Sequence, residues 1–141
     1  MNKLQTKPVL TLEVAKAMLE ASEAKARELG LVMTIAVVDD GGHPLALSRM
    51  DGIHAGTVEI AFAKAKSSVM FKRPTAKFGE GVAAGTIGLI ALPNVVPFAG
   101  GLPLMSGMSL VGAVGASGAS PDKDEAVAAA GVAVFESALK A

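Results

Sequence analysis

The sequence contains no cysteine, no tryptophan and no tyrosine, and only two histidines in 141 residues. Without cysteine there is no disulfide framework, thiol nucleophile, iron–sulfur cluster or cysteine zinc site. His43 and His54 form no H-x-x-x-H pair, so zinc spacing is absent and no metal site is expected. Five phenylalanines are the only aromatics, too few to stack on bases. Neither sign of charge dominates, because 13 Lys and Arg balance 13 Asp and Glu. A nucleic-acid or anionic-membrane partner therefore has no electrostatic basis. The uncharged run 82–121 is broken by Pro93, Pro97 and Pro103, and the apolar run 126–135 is too short to span a bilayer. No signal-peptide core precedes the first helix, so the expected location is cytoplasmic.

What is present is small and apolar. Hydrophobic residues make up 51% of the chain, with 16 glycines and 26 alanines. A chain of this length buries about two-thirds of its surface and folds without staples. We expect one domain over residues 1–141. An apolar, Ala- and Gly-rich chain must hide surface inside itself or against copies of itself, so a homo-oligomer is expected.

Thr11 caps a helix whose apolar stripe runs Leu12, Ala15, Leu19, Ser22, Ala26, Leu29, and Gly30 closes it. Residues 31–38 and 45–50 read as strands around the turn-rich Asp39-Asp40-Gly41-Gly42-His43-Pro44. The first is apolar almost throughout, which predicts a central strand covered on both faces. Residues 55–72 read as a helix apolar on more than one side, with Ile60, Met70 and Phe71 off its main stripe. Residues 75–85 read as a short helix or loop. Residues 86–92 and 95–98 are strand candidates, Pro97 making the second an edge strand. Residues 102–106 and 109–116 form a hairpin, and Gly107 suits the first position of a type II′ turn. Ser120 and Pro121 start a last helix, which reads as buried on most sides until Glu136 and Lys140. Strands joined mainly by hairpins, with helices between and after them, predict an α+β domain on an antiparallel sheet of five strands.

Few side chains in this chain can do chemistry. His54 follows Arg49-Met50-Asp51-Gly52-Ile53 at a helix entry, where an imidazole can ligate or transfer a proton, or simply sit as a polar helix-start residue. Arg49 can clamp a carboxylate or pair with Asp51. Lys64, Lys66, Lys72, Arg73 and Lys77 form a basic stretch that is either a solvated face or a holder of carboxylates, with Lys66 and Arg73 flanking the apolar helix face. Gly100-Gly101 before Leu102-Pro103 permits close approach of a ligand or another backbone. Gly112-x-x-Gly115-x-x-Gly118 lacks dinucleotide-loop spacing and reads as tight packing before a helix N-terminus, whose free N–H groups could alternatively hold a carboxylate or phosphate. The seven methionines read as core filling.

Several pieces taken together resemble the GlcG/HbpS family, the haem-degrading domain, and the C-terminal domain of PduO. They are Val37-Val38-Asp39-Asp40-Gly41-Gly42-His43-Pro44, Arg49-Met50-Asp51-Gly52, Ala63-Lys64-Ala65-Lys66, Arg73-Pro74-Thr75, Gly100-Gly101-Leu102-Pro103-Leu104, the stretch from Gly112 to Gly118, and Asp124-Glu125-Ala126-Val127-Ala128 continuing to Val132. They run in order over residues 9–139. The resemblance implies profilin-like α/β/α layers around a five-stranded antiparallel sheet, higher oligomers, and haem in some members. It departs in two places: the first helix carries no histidine to ligate haem, and Gly118-Ala119 stands where a Gly-Gly is usual.

The expected function is a cytoplasmic, oligomeric small-ligand-binding protein taking haem or another tetrapyrrole, with His54, Arg73, Gly100, Gly101 and Pro103 at the ligand. One alternative is an enzyme or accessory protein for a carboxylate metabolite, with His54 transferring the proton and Arg49 or Lys66 holding the carboxylate near Gly100-Gly101. Another is a scaffold or regulatory oligomer without chemistry.

Overall fold

The computed structural model describes residues 2–141. The first helix, α1 (Leu12–Glu28), starts where Thr11 accepts the Val14 N–H at 3.2 Å. It ends at Gly30, φ +72°, where the Leu31 N–H reaches Ala26 O at 2.8 Å and the Gly30 N–H reaches Arg27 O at 3.0 Å. These two bonds close the helix end as the glycine predicts.

Strands β1 (Thr34–Asp39) and β2 (Pro44–Arg49) form the first antiparallel hairpin, and β3 (Gly101–Ser106) and β4 (Ser109–Ser117) the second. Gly107 has φ +61° and Met108 has no positive φ, as a type II′ turn requires. Between the hairpins lie α2 (Gly56–Phe71), α3 (Ala76–Ala83) and a 3₁₀ turn, Ile87–Ala91; α4 (Pro121–Leu139) closes the chain.

The sheet has four strands in the order β2-β1-β4-β3, all antiparallel, where five were expected. Neither strand candidate between the hairpins, 86–92 or 95–98, joins the sheet. Their β-branched residues look strand-like, but Pro93 and Pro97 have no N–H to pair, and Asn94 has φ +66°, which breaks the ladder. The segment becomes the 3₁₀ turn and an irregular loop.

β1 is central and almost wholly buried, as its composition predicts. Ile35, Val37, Val114 and Ala116 face α1 and α4, while Val38 and Ala113 face α2 through Ala65 and Val69. The layers are thus α1/α4, sheet, α2. Gly115 lets α2 lie directly on the sheet: a Cβ there would strike Ala61 O and come within 2.7 Å of Ala65 N. α4 is less enclosed than expected, since Ala129 and Ala133 are exposed; a methyl group costs little in water, so alanine mimics a buried stripe.

Candidate functional site

The α2 stripe that meets the sheet is not purely apolar. Lys64 sits on it between Ala61 and Ala65, fully buried. Its ammonium lies 2.8 Å from Asp124 Oδ2 and donates to Ala116 O at 3.1 Å. Asp124, in the first turn of α4, also accepts the Ala119 N–H at 2.8 Å. Their side chains are 3% and 4% exposed. Burial pushes the Asp124 carboxyl above its ordinary range, while Lys64 and the Ala119 and Gly118 N–H groups oppose that rise. This pair joins α2, β4 and α4. Lys64 stands in the basic stretch and Asp124 among helix-start acids, so the sequence gives each a surface reading. The available signal was a charge at sheet-facing i, i+3, i+4 spacing with Ala61, Ala65 and Ser68.

Gly100 and Gly101 lie against this pair. Gly100 has φ +128°, and a Cβ there would come within 2.8 Å of Lys64 Nζ and 2.7 Å of Ala116 O. A Cβ at Gly101 would strike Lys64 O. The close approach at these glycines is made by the chain's own lysine and backbone. The neighbouring Thr75 is also buried: its N–H donates to Gly101 O at 3.0 Å, and its hydroxyl accepts the Gly101 N–H at 2.9 Å. Pro103 is half-buried on the edge strand β3 opposite Ala113, a position that spares a ladder bond.

The other expected residues are split between the two ends of the sheet. Arg49 lies opposite Thr34 at the start of β1 and donates to Ile53 O at 3.2 Å, beside the exposed His54. There a cleft of about 440 Å³ is lined by Glu23, Arg27, Leu31, Arg49 and Asp51. Lys66 is ten residues into α2, about 15 Å along its axis, under Gly42 of the β1–β2 turn. Lys66 therefore does not meet Arg49 and His54. Arg73, just past α2, places its guanidinium 5.6 Å from the Phe78 ring centre and donates to Phe71 O at 3.2 Å. At the Lys66 end, Lys7 bridges Asp40 at 2.6 Å and Leu110 O at 2.9 Å, holding the Asp40 carboxyl below its ordinary range. A cleft of about 450 Å³ there is lined by Gln5, Lys7, Asp40, Lys72 and Ser109.

An apolar surface lies beyond α2. Residues 76–100 leave the body as a flap carrying α3 and the 3₁₀ turn. Ile87 is 68% exposed, Ile90 63% and Phe98 56%, and Leu92 is exposed as well. Arg73 stands at the flap's stem.

The family model described as haem degrading protein HbpS-like matches residues 10–133. Protein GlcG of Escherichia coli K12 is 35% identical over 114 residues, covering 81% of this chain and 85% of its own. Klebsiella pneumoniae protein ORFY superposes with a TM-score of 0.89 at 33% identity over 96% of this chain and 97% of its own. A haem complex of PduOC superposes at 0.81 with 25% identity, over 90% and 95% respectively.

Proposed function

The chain belongs to the HbpS-like family, and from that premise we propose that it is a self-associating ligand-binding protein whose ligand is haem or another tetrapyrrole. The observation that carries the reading is the flap. An exposed, uncharged apolar surface with Arg73 at its stem offers what a tetrapyrrole requires: contact for the macrocycle and a cation for a carboxylate side chain. The haem complex of a relative with the same fold supports it.

The residues present limit how haem fits. No histidine lies in α1, and neither His43 nor His54 lines the two clefts described above. The fit is to an open surface, which a second copy of the chain closes, with Arg73 and the flap on the ligand. His54 lies at the opposite end of α2 from Arg73, so it would hold such a ligand only from a second copy of the chain. When bound, the macrocycle supplies its own iron chemistry; this chain binds and shields it.

The test is a hemin titration read at the Soret band, with Arg73→Ala and His54→Ala alongside. A saturable band distinct from free hemin, weakened by Arg73→Ala, is expected. A spectrum identical to free hemin at all ratios removes the reading.

The Arg49 cleft favours a second reading, in which a carboxylate metabolite pairs with Arg27 and Arg49 and His54 moves a proton. Calorimetry with small carboxylates, compared with Arg49→Gln, separates it from the first.

A further inference from the structure

The flap is sparsely packed against the body. Of its 25 residues, 76–100, only Phe78 and Gly100 are buried. Five glycines and two prolines interrupt it, and Asn94 holds a left-handed φ of +66°. Its own bonds are local, such as Ala84 N–H to Glu80 O at 3.0 Å and Thr86 N–H to Gly81 O at 2.9 Å. It is tied to the body at few points. Val96 N–H reaches Ser67 Oγ at 3.4 Å, and Phe78 stacks edge-on against Phe71 with centroids 5.1 Å apart. The two ends are clasped together by the Thr75–Gly101 bonds. A segment with few buried contacts, closed at its base, has the anatomy of a local opening unit.

The floor beneath it has the opposite character. Gly100 packs on the Lys64–Asp124 pair, its carbonyl accepts the Ala116 N–H at 2.9 Å, and β1 and β4 behind are fully paired. We propose that residues 76–99 open and close as one unit on the Thr75–Gly101 clasp and the anchored Gly100, while the body pinned by Lys64–Asp124 stays folded. The apolar tip of Ile87, Ile90, Leu92 and Phe98 rides on that unit. Its exposure to any partner is therefore adjustable, whatever the ligand. The inference stands apart from tetrapyrrole binding and survives if hemin does not bind.

Native-state hydrogen exchange on the full chain tests it. The amides of Phe78, Gly79, Ala84, Gly85, Thr86 and Leu89 should exchange through one common opening, well ahead of amides in β1 and β4. Thr75→Val keeps shape but leaves the Gly101 N–H without an acceptor, a loss of about one hydrogen bond. It should speed the flap amides about fivefold and leave β1 and β4 unchanged. Because the chain has no cysteine, Ser67→Cys/Val96→Cys gives an independent lock. Oxidation should slow the flap amides, and reduction should restore them. The proposal is overturned if the flap amides are as protected as those of β4, if Thr75→Val speeds both sets equally, or if the oxidised lock leaves flap exchange unaltered.

Discussion

Replacing Lys64 by methionine keeps the length of the side chain and removes its charge. Asp124 then remains at 4% exposure with its main counter-ion gone. Breaking one side of a buried pair costs about 3–5 kcal/mol, because the abandoned charge is still desolvated. Here Asp124 keeps the Ala119 N–H at 2.8 Å, which places the cost near the lower end. For a domain of this size, about 3 kcal/mol corresponds to a fall in Tm on the order of 10 °C. The pH dependence has a definite sign. A carboxyl raised by burial holds its proton more tightly folded than unfolded, so its favourable contribution is present below the ordinary carboxylate range and is lost as pH rises through the raised value. Lys64→Met removes an opposing influence and raises Asp124 further, so its penalty should be largest at neutral pH and shrink on acidification. Adding Asp124→Asn should recover much of the loss, since a neutral amide leaves no buried charge and can still accept the Ala119 N–H. Thermal and urea unfolding between pH 4.5 and 7.5 measure all three proteins. A single-variant penalty under about 1 kcal/mol at pH 7, or one independent of pH, refutes the reasoning.

Gly115→Ala should destabilise by about 1–3 kcal/mol, because its Cβ meets the α2 backbone at Ala61 O and Ala65 N rather than a movable side chain; Gly107→Ala, with open space around it, should show only the smaller backbone cost of its positive φ. Urea midpoints compare the two. Ile90→Glu at the flap tip should leave the Tm within a few degrees while shifting native mass spectra toward the monomer. Asp40→Asn should loosen the hold of Lys7 on the β1–β2 turn, read as faster proteolytic cleavage near Lys7. In the parent chain the same loosening should appear only as pH falls below the ordinary carboxylate range, because the Lys7 ion pair lowers the Asp40 carboxyl.

The elements legible in the sequence are those whose signals are local. α1 shows its cap, its stripe and its closing Gly30, and the second hairpin shows its turn in Gly107-Met108. Residues 86–98 were misread because an apolar, uncharged stretch has the same composition whether it is a buried strand or an exposed loop. Only the placement of Pro93, Asn94 and Pro97 tells them apart. The buried pair was illegible for another reason: Lys64 and Asp124 are sixty residues apart, and each has an ordinary surface role in its own neighbourhood.

The glycines carry the last step. Gly100-Gly101 signals that something must come close, and in the structure that something is Lys64 with the Ala116 carbonyl. An absent side chain thus makes room for a buried charge, and the interior has no space left there for a ligand. Binding by this chain then falls to its outside, where the two clefts described above and the flap tip are open. Of these, the clefts are polar at their rims and each already contains an internal ion pair, Glu23–Arg27 in one and Lys7–Asp40 in the other. The flap tip has no charge to satisfy and exposes Ile87, Ile90 and Phe98 at more than half their surface, so covering it removes apolar area from water without desolvating a charge.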